Sequence, residues 1–286
     1  SDVYKRQQDV YVRDDRGRSA LDLAAQRNRV HALHVISEYM QRLAVLEACE
    51  RRDVEELKEL LAAGLDVHKH DKSGRTALHA AVEGAEEEKE ECVQIVRRLL
   101  ESGADPNWQD VDGMSPVHHC ARTGKAECLR LLLQNGGSAD EAGGNSFQTP
   151  LILSVIHQHI QCINVLLQLN ADPNVKDGAG MNAMHHAVAT YNGDEALLVL
   201  GLLFASKGDV NARDGQGRTP LIQCAWERDD AVCARFLIEQ GASLLAKGTE
   251  GKAALSFAEG KGHAATAALI KERGLDMLRT GTAMCR

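Results

Sequence analysis

Apolar residues recur along this chain in short helical clusters, separated by polar connections that carry glycine. The clearest copy is KGDVNARDGQGRTPLIQCA at 207–225. Its first half, from Asp209 to Gly215, predicts an exposed turn, because Asp, Asn and Gly accept the backbone angles that turns demand. Its second half predicts a helix start. Thr219 is placed to accept from free backbone N–H groups, Pro220 has no N–H to strand, and Leu221 is the first apolar residue to be buried.

This unit repeats. The first buried positions are Leu21, Val45, Leu78, Val117, Leu151, Met184, Leu221 and Leu255, separated by 24, 33, 39, 34, 33, 37 and 34 residues. A period near 33 predicts a solenoid of helix pairs, each burying its apolar face against its neighbours. Three residues after each anchor stand Ala24, Ala48, Ala81, Cys120, Ser154, Ala187, Cys224 and Ala258, all small. That position shares the anchor's helix face, so a small side chain there admits a neighbouring helix. Two before the anchor, Ser19, Thr76, Ser115, Thr149, Asn182 and Thr219 form a column of N-caps, with Leu43 and Ala253 off pattern. Second helices end in apolar clusters such as Leu131–Leu133 and Phe236–Ile238. They stop at Gly64, Gly103, Gly136, Asn170, Gly208, Gly241 and Gly274, residues suited to a left-handed C-cap.

The strings GRTALHAAV (74–82), GMSPVHHCA (113–121), QTPLILSV (148–155), GMNAMHHAV (180–188) and GRTPLIQCA (217–225) resemble ankyrin repeats, as do the connecting GADPNWQD, NADPNVKD and GDVNARD. The resemblance covers roughly 15–276. It implies an all-α solenoid of helix–turn–helix units joined by β-hairpin fingers, with fingers and first helices forming a concave face. It names no partner.

Departures from the pattern carry the local information. The short 24-residue step after Leu21 removes one finger. Either a fingerless joint sits inside a continuous stack, or 15–42 is a single unit ending an earlier array; the second reading is adopted. The expected layout is a non-native or disordered lead over 1–14, that unit over 15–42, about seven units over 43–276 and a tail over 277–286. The opening SDVYKRQ resembles adapter-derived strings of translated transcripts, and the chain reads as a fragment. VEGAEEEKEEC (82–92) and ATYNGDEA (189–196) stretch two units between their helices. The first is read as a solvated extension, with an acidic contact for a basic partner as the functional alternative. Glycine pairs at 136–137 and 143–144 predict a loosened finger that ends near Phe147.

Composition narrows the class. Aromatics are only 3% against 44% hydrophobic, so Leu, Ala and Val build the core, which suits helix-on-helix packing. A net charge of −8 argues against nucleic acid and anionic membranes. The longest apolar run, Ala196 to Ala205, is too short to span a bilayer. With no signal-peptide pattern and no N-glycosylation acceptor, a cytoplasmic or nuclear monomeric array is expected.

Histidine and cysteine invite a metal reading that spacing opposes. His118–His119 and His185–His186 are two repeats apart, roughly 20 Å at 8–10 Å per helix, beyond any shared zinc site. His79, His118 and His185 each follow Thr, Ser or Asn by three residues; the resemblance implies a hydrogen-bonded network joining repeats. Cys120 and Cys224 fill the small column. Cys128, Cys162 and Cys233 form another, with neighbours too far apart for disulfides; Cys285 alone is expected to be reactive. No cofactor or metal is expected, and no catalytic motif is present.

The finger tips are the candidate surface: Trp108 and Gln109, Val175 and Lys176, Ala212 and Arg213, each pair after a finger asparagine. Trp and Arg dominate interface energetics. Asn211 resembles sites hydroxylated by an asparaginyl hydroxylase in the family. The expected function is a protein–protein interaction module, an adaptor or scaffold and not an enzyme. The alternatives are the recruiting region of a larger kinase or ubiquitin ligase, or the cytosolic array of a membrane channel.

Overall fold

A computed structural model of the protein describes residue 18, residues 44–83 and residues 88–280. The lead over 1–14, the unit over 15–42 other than Arg18, and Cys285 lie outside the described residues. The chain divides into two compact units, Ser1–Gly84 with Glu90–Ala104, and Ala85–Lys89 with Asp105–Arg286.

In the first unit residues 44–51 are helical, followed by α1 (Val54–Ala62), α2 (Ala77–Val82) and α3 (Glu90–Glu101). Asp53 starts α1 by accepting the Glu56 N–H at 2.9 Å. Helix α3 packs on both α1 and α2. The anchors Val45 and Leu78 and the small residues Ala48 and Ala81 are all buried.

The second unit contains α4 (Pro116–Thr123), α5 (Ala126–Gln134), α6 (Pro150–Ile156), α7 (Ile160–Gln168), α8 (Ala183–Thr190), α9 (Gly193–Ala205), α10 (Pro220–Glu227), α11 (Ala231–Glu239), α12 (Ala254–Lys261) and α13 (Ala264–Thr280). Helices α4, α6, α8, α10 and α12 pack consecutively, and so do α5, α7, α9, α11 and α13. Each helix of the first row also packs on its successor in the chain. Val117, Leu151, Met184 and Leu221 are buried, and Cys120, Ser154, Ala187 and Cys224 beside them have no exposed surface. The polar exception, Ser154, donates its hydroxyl to the Leu151 carbonyl at 2.8 Å, so the buried hydroxyl is satisfied.

The fingers are tighter than hairpins. Among the described residues their pairing reduces to isolated bridges, His70 with Thr76 in the first unit, and Gly143 with Gln148 and Lys247 with Ala253 in the second. Neighbouring fingers are joined by one backbone bond each: Gly178 N–H to Ser146 (2.8 Å), Gly215 N–H to Ala179 (2.9 Å) and Thr249 N–H to Gln216 (2.9 Å). Gly143 is required by this close approach, since a Cβ there would stand 2.6 Å from the Gly113 carbonyl oxygen and 2.8 Å from His118 Nε2.

Several expectations are corrected. Leu255 is only half-buried, while Phe257 and Ala258 are buried; α12 packs on α10 and α13 and, among the described residues, no further pair covers its other side. At the end of α9 the left-handed residue is Lys207 (φ +68°) rather than Gly208. Gly208 is instead needed for space, because a Cβ there would lie 2.8 Å from the Leu203 carbonyl oxygen. Gly274 ends nothing: α13 runs through it to Thr280, into the segment expected as a tail. The following Leu, Met, Leu and Arg are good helix formers, which outweighs one glycine. No helix among the described residues is long and apolar enough to cross a membrane.

The histidines that follow the caps are part of the fold. Thr76, Ser115 and Asn182 form capping boxes in which the backbone N–H of the cap donates to Nδ1 of His79 (3.1 Å), His118 (3.2 Å) and His185 (3.4 Å). Nδ1 is thereby an acceptor, so Nε2 carries the proton. In the second unit it donates onward: His118 to the Glu141 carbonyl at 2.8 Å and His185 to the Arg218 carbonyl at 3.0 Å. Burial pushes His118 down from 6.5 to about 4 and lowers His185 as well. Protonation would destroy the accepted bond. Below about 6.5 the unfolded chain binds protons that the folded chain refuses, so stability falls with falling pH. Urea melts are expected to show stability fully present above pH 6.5 and lost progressively towards about 4. The loss from His118 is on the order of 2–3 kcal/mol. A His118→Gln/His185→Gln pair should flatten that slope; an unchanged slope would remove the network from the account.

Candidate functional site

Four of the described fingers are built on an aspartate, and two have Gly143 and Gly248 in its place. Asp71, Asp110, Asp177 and Asp214 accept with one carboxylate oxygen from the N–H groups two and four residues later, at 2.8–3.0 Å. The second oxygen has two alternative partners. Where the fourth residue on is arginine, that side chain takes it: Arg75 on Asp71 and Arg218 on Asp214, both at 2.9 Å. Where it is Met114 or Met181, a histidine from the following helix takes it: His119 on Asp110 at 2.9 Å and His186 on Asp177 at 2.8 Å. Burial alone would raise Asp110, but the bonds from the Met114 and Asp112 N–H groups and the His119 ring hold it below the usual carboxylate range. The second histidine of each pair is therefore a structural acceptor's partner. The signal was in the sequence: His119 and His186 occur where Met replaces Arg.

The finger asparagines clamp one repeat to the next. Asn107 donates to the Gly136 carbonyl (2.8 Å) and accepts the Ser138 N–H (2.7 Å). Asn174 does the same with Lys207 (3.0 Å) and Asp209 (2.7 Å), and Asn211 with Gly241 (3.0 Å) and Ser243 (2.8 Å). Each clamped carbonyl belongs to a left-handed residue, so helix exit and finger are fixed by one carboxamide. Asp140 occupies the same place in the off-pattern finger. It accepts the Asp172 N–H at 2.8 Å but has no N–H to give the Asn170 carbonyl. Burial, with the like charge of Asp172, pushes Asp140 up despite that bond.

The other ends of the repeats are joined as well. Glu88 accepts the Glu127 and Cys128 N–H groups at 3.0 and 2.7 Å, and Asp229 accepts those of Ala265 and Thr266 at 3.1 and 2.8 Å. These carboxylates sit at the N-termini of α5 and α13, where free N–H groups and the helix dipole favour negative charge. The acidic stretch at 82–92 thus spends at least one glutamate inside the molecule; residues 84–87 lie outside the described residues.

Against this frame the predicted tips separate. Trp108 is 37% exposed, and the exposed Gln109 donates to the Glu141 carboxylate at 2.8 Å. Val175 is half-buried. Lys176 is exposed and donates to the Arg213 carbonyl at 2.8 Å; Arg213 in turn donates to the Lys247 carbonyl at 2.8 Å. Ala212 is a correction: it is buried, while Arg213 next to it is exposed. Val111 and Phe147, 71% and 62% exposed, join Trp108 as apolar finger residues; Val111 was missed because it lacks any motif. The seven described cysteines are buried and form no disulfide among themselves. Burial pushes Cys49, Cys162 and Cys224 up to about 12, so these thiols are not nucleophiles.

Residues 85–177 match the family described as ankyrin repeats (3 copies), 45–88 that described as ankyrin repeats (many copies), and 216–249 the single ankyrin repeat. The chain is an ankyrin-repeat protein. It is 32% identical over 155 residues to neurogenic locus notch homolog protein 1 of Danio rerio, covering 54% of this chain and 6% of that protein. It is 28% identical over 153 residues to the putative palmitoyltransferase ZDHHC13 of the same species, covering 54% and 23%. Similarity to SH3 and multiple ankyrin repeat domains protein 2 of Homo sapiens is 29% over 200 residues, covering 68% and 10%. The chain thus spans a quarter or less of these relatives. Ankyrin repeats are non-catalytic and indicate a protein-interaction module, and this chain has their all-α repeat fold.

The clamp column yields a direct test. Asp140→Asn supplies the missing donor to Asn170, and thermal melts at pH 7 should show a gain of about 0.5–1.5 kcal/mol. Asn211→Ala should cost a similar amount or more. No gain at 140 would mean that the carboxamide pattern is incidental.

Proposed function

We propose that the second unit is an adaptor surface that holds a protein partner across its fingers and first helices. The supporting observation is the set of exposed finger residues. Trp108, Val111 and Phe147 present apolar surface, while Gln109, Val175, Lys176 and Arg213 flank them on a frame whose polar groups are consumed by inter-repeat bonds. Buried anchors hold the scaffold; the tips are left for recognition. Asn211 remains the candidate for hydroxylation, although its carboxamide is held at both ends. An added oxygen on it, sought by mass spectrometry in protein from oxygenated cells, tests that assignment.

A second reading is favoured by the two relatives named as palmitoyltransferases, ZDHHC13 of Danio rerio and AKR1 of Lachancea kluyveri. In it, these repeats are the recruiting part of a larger enzyme. A catalytic motif in the complete coding sequence would establish that arrangement.

Capture experiments should compare the wild-type chain with Trp108→Ala and Arg213→Ala. Each substitution is expected to weaken retention of the same partner at least tenfold, about 1.4 kcal/mol; because Arg213→Ala also gives up the bond to the Lys247 carbonyl, melting temperatures are compared alongside. Equal retention by all three proteins would refute finger-tip recognition.

A further inference from the structure

Lys176, Arg213 and Lys247 occupy one position on three consecutive fingers of a chain whose net charge is −8. The equivalent residues of the two preceding fingers, Gln109 and Ala142, are uncharged. The three cations are exposed and are joined in series through neutral groups: Lys176 Nζ to the Arg213 carbonyl and Arg213 Nη1 to the Lys247 carbonyl, each at 2.8 Å. Among the described residues none of the three meets a carboxylate within ion-pairing distance.

The acidic groups that could neutralise them are engaged elsewhere. Asp177 and Asp214, next in the chain, are turned inward with side chains 4% and 1% exposed, paired with His186 and Arg218. Asp172 and Asp209 accept the Asn174 and Asn211 N–H groups, and Glu250 is paired with Lys252 at 3.1 Å. The third of these fingers has Gly248 where the other two have the aspartate. The result is a local positive strip on an acidic molecule. Such a strip attracts and orients an oppositely charged partner.

We infer that the partner segment is an acidic polypeptide laid in extended form across the last three fingers. Its carboxylates face Lys176, Arg213 and Lys247, and apolar side chains at one end face Trp108, Val111 and Phe147. This rests on the finger-tip reading above. Consecutive repeats are spaced by about one helix diameter, roughly 10 Å, and an extended chain advances about 3.3 Å per residue. Carboxylates at every third residue therefore match the three cations. Nucleic acid and anionic membrane also carry negative charge, but the remainder of this surface repels a large polyanion, whereas a short segment meets only the strip.

The test is peptide selection by phage display against the full 286-residue chain and against a Lys176→Glu/Arg213→Glu/Lys247→Glu variant of equal melting temperature. The wild-type chain is expected to enrich Asp and Glu three residues apart. Binding of those peptides should fall at least tenfold in the variant, and should weaken with salt as the Debye length shrinks below about 10 Å. Enrichment without acidic residues, equal binding by the variant, or failure to select any binder overturns the inference. So does reversal-sensitive retention of a single-stranded oligonucleotide or of phosphatidylserine vesicles in place of acidic peptides. Peptides retained by the variant but lost on Trp108→Ala would leave finger-tip recognition standing and remove only the acidic partner.

Discussion

A single helix pair in this chain cannot bury its apolar face, so every repeat depends on hydrogen bonds and packing supplied by the next one. Burial of Leu151, Met184 and Leu221 drives the stacking, but it is non-directional. Direction comes from the polar bonds that cross each boundary. A neutral histidine reaches the next finger, a finger carboxamide closes on the next helix exit, and in places a carboxylate caps the next second helix. His118 and His185 are buried and Asn107, Asn174 and Glu88 half-buried, so leaving one of these unpaired costs more than making the bond gains. That asymmetry fixes the spacing of the repeats and, with it, the spacing of the tips.

The same constraint explains where function has room. A ring, carboxamide or carboxylate with both of its polar ends bonded within the array is unavailable for recognition, which withdraws the paired histidines, the finger asparagines and the turn aspartates at once. The tips between them are less constrained, although Lys176 and Arg213 each also bond to the next finger's carbonyl. They vary accordingly, apolar at Trp108, Val111 and Phe147 and basic from Lys176 to Lys247. The off-pattern finger belongs to the first kind of position, since Asp140 keeps one half of the clamp and forfeits the other.

Repeat period, anchor column, small-residue column and caps were legible in the sequence because each is local: a helix start and its first turn are written in adjacent residues. Thr219, Pro220 and Leu221 behave as their chemistry requires. The candidate site was legible only in part. Trp108, Lys176 and Arg213 could be found by their place after the finger asparagine. The burial of Ala212 and the exposure of Val111 depend on which way a turn faces, and nothing local encodes that.

What the sequence determined by itself is the scaffold, since periodic burial and capping are properties of short segments and repetition makes them unambiguous. Tertiary structure alone decided which polar residues are spent within the molecule and which remain for a partner. His119 and His186 look like ligands until Met114 and Met181, standing where other fingers have arginine, show that the second oxygen of each aspartate needs another partner. Lys176, Arg213 and Lys247 lie 34 to 37 residues apart in the chain and become one strip only when the fingers stack. A hydrogen bond or a charge pair across that separation has no local signature, because it exists only once burial has brought the repeats together.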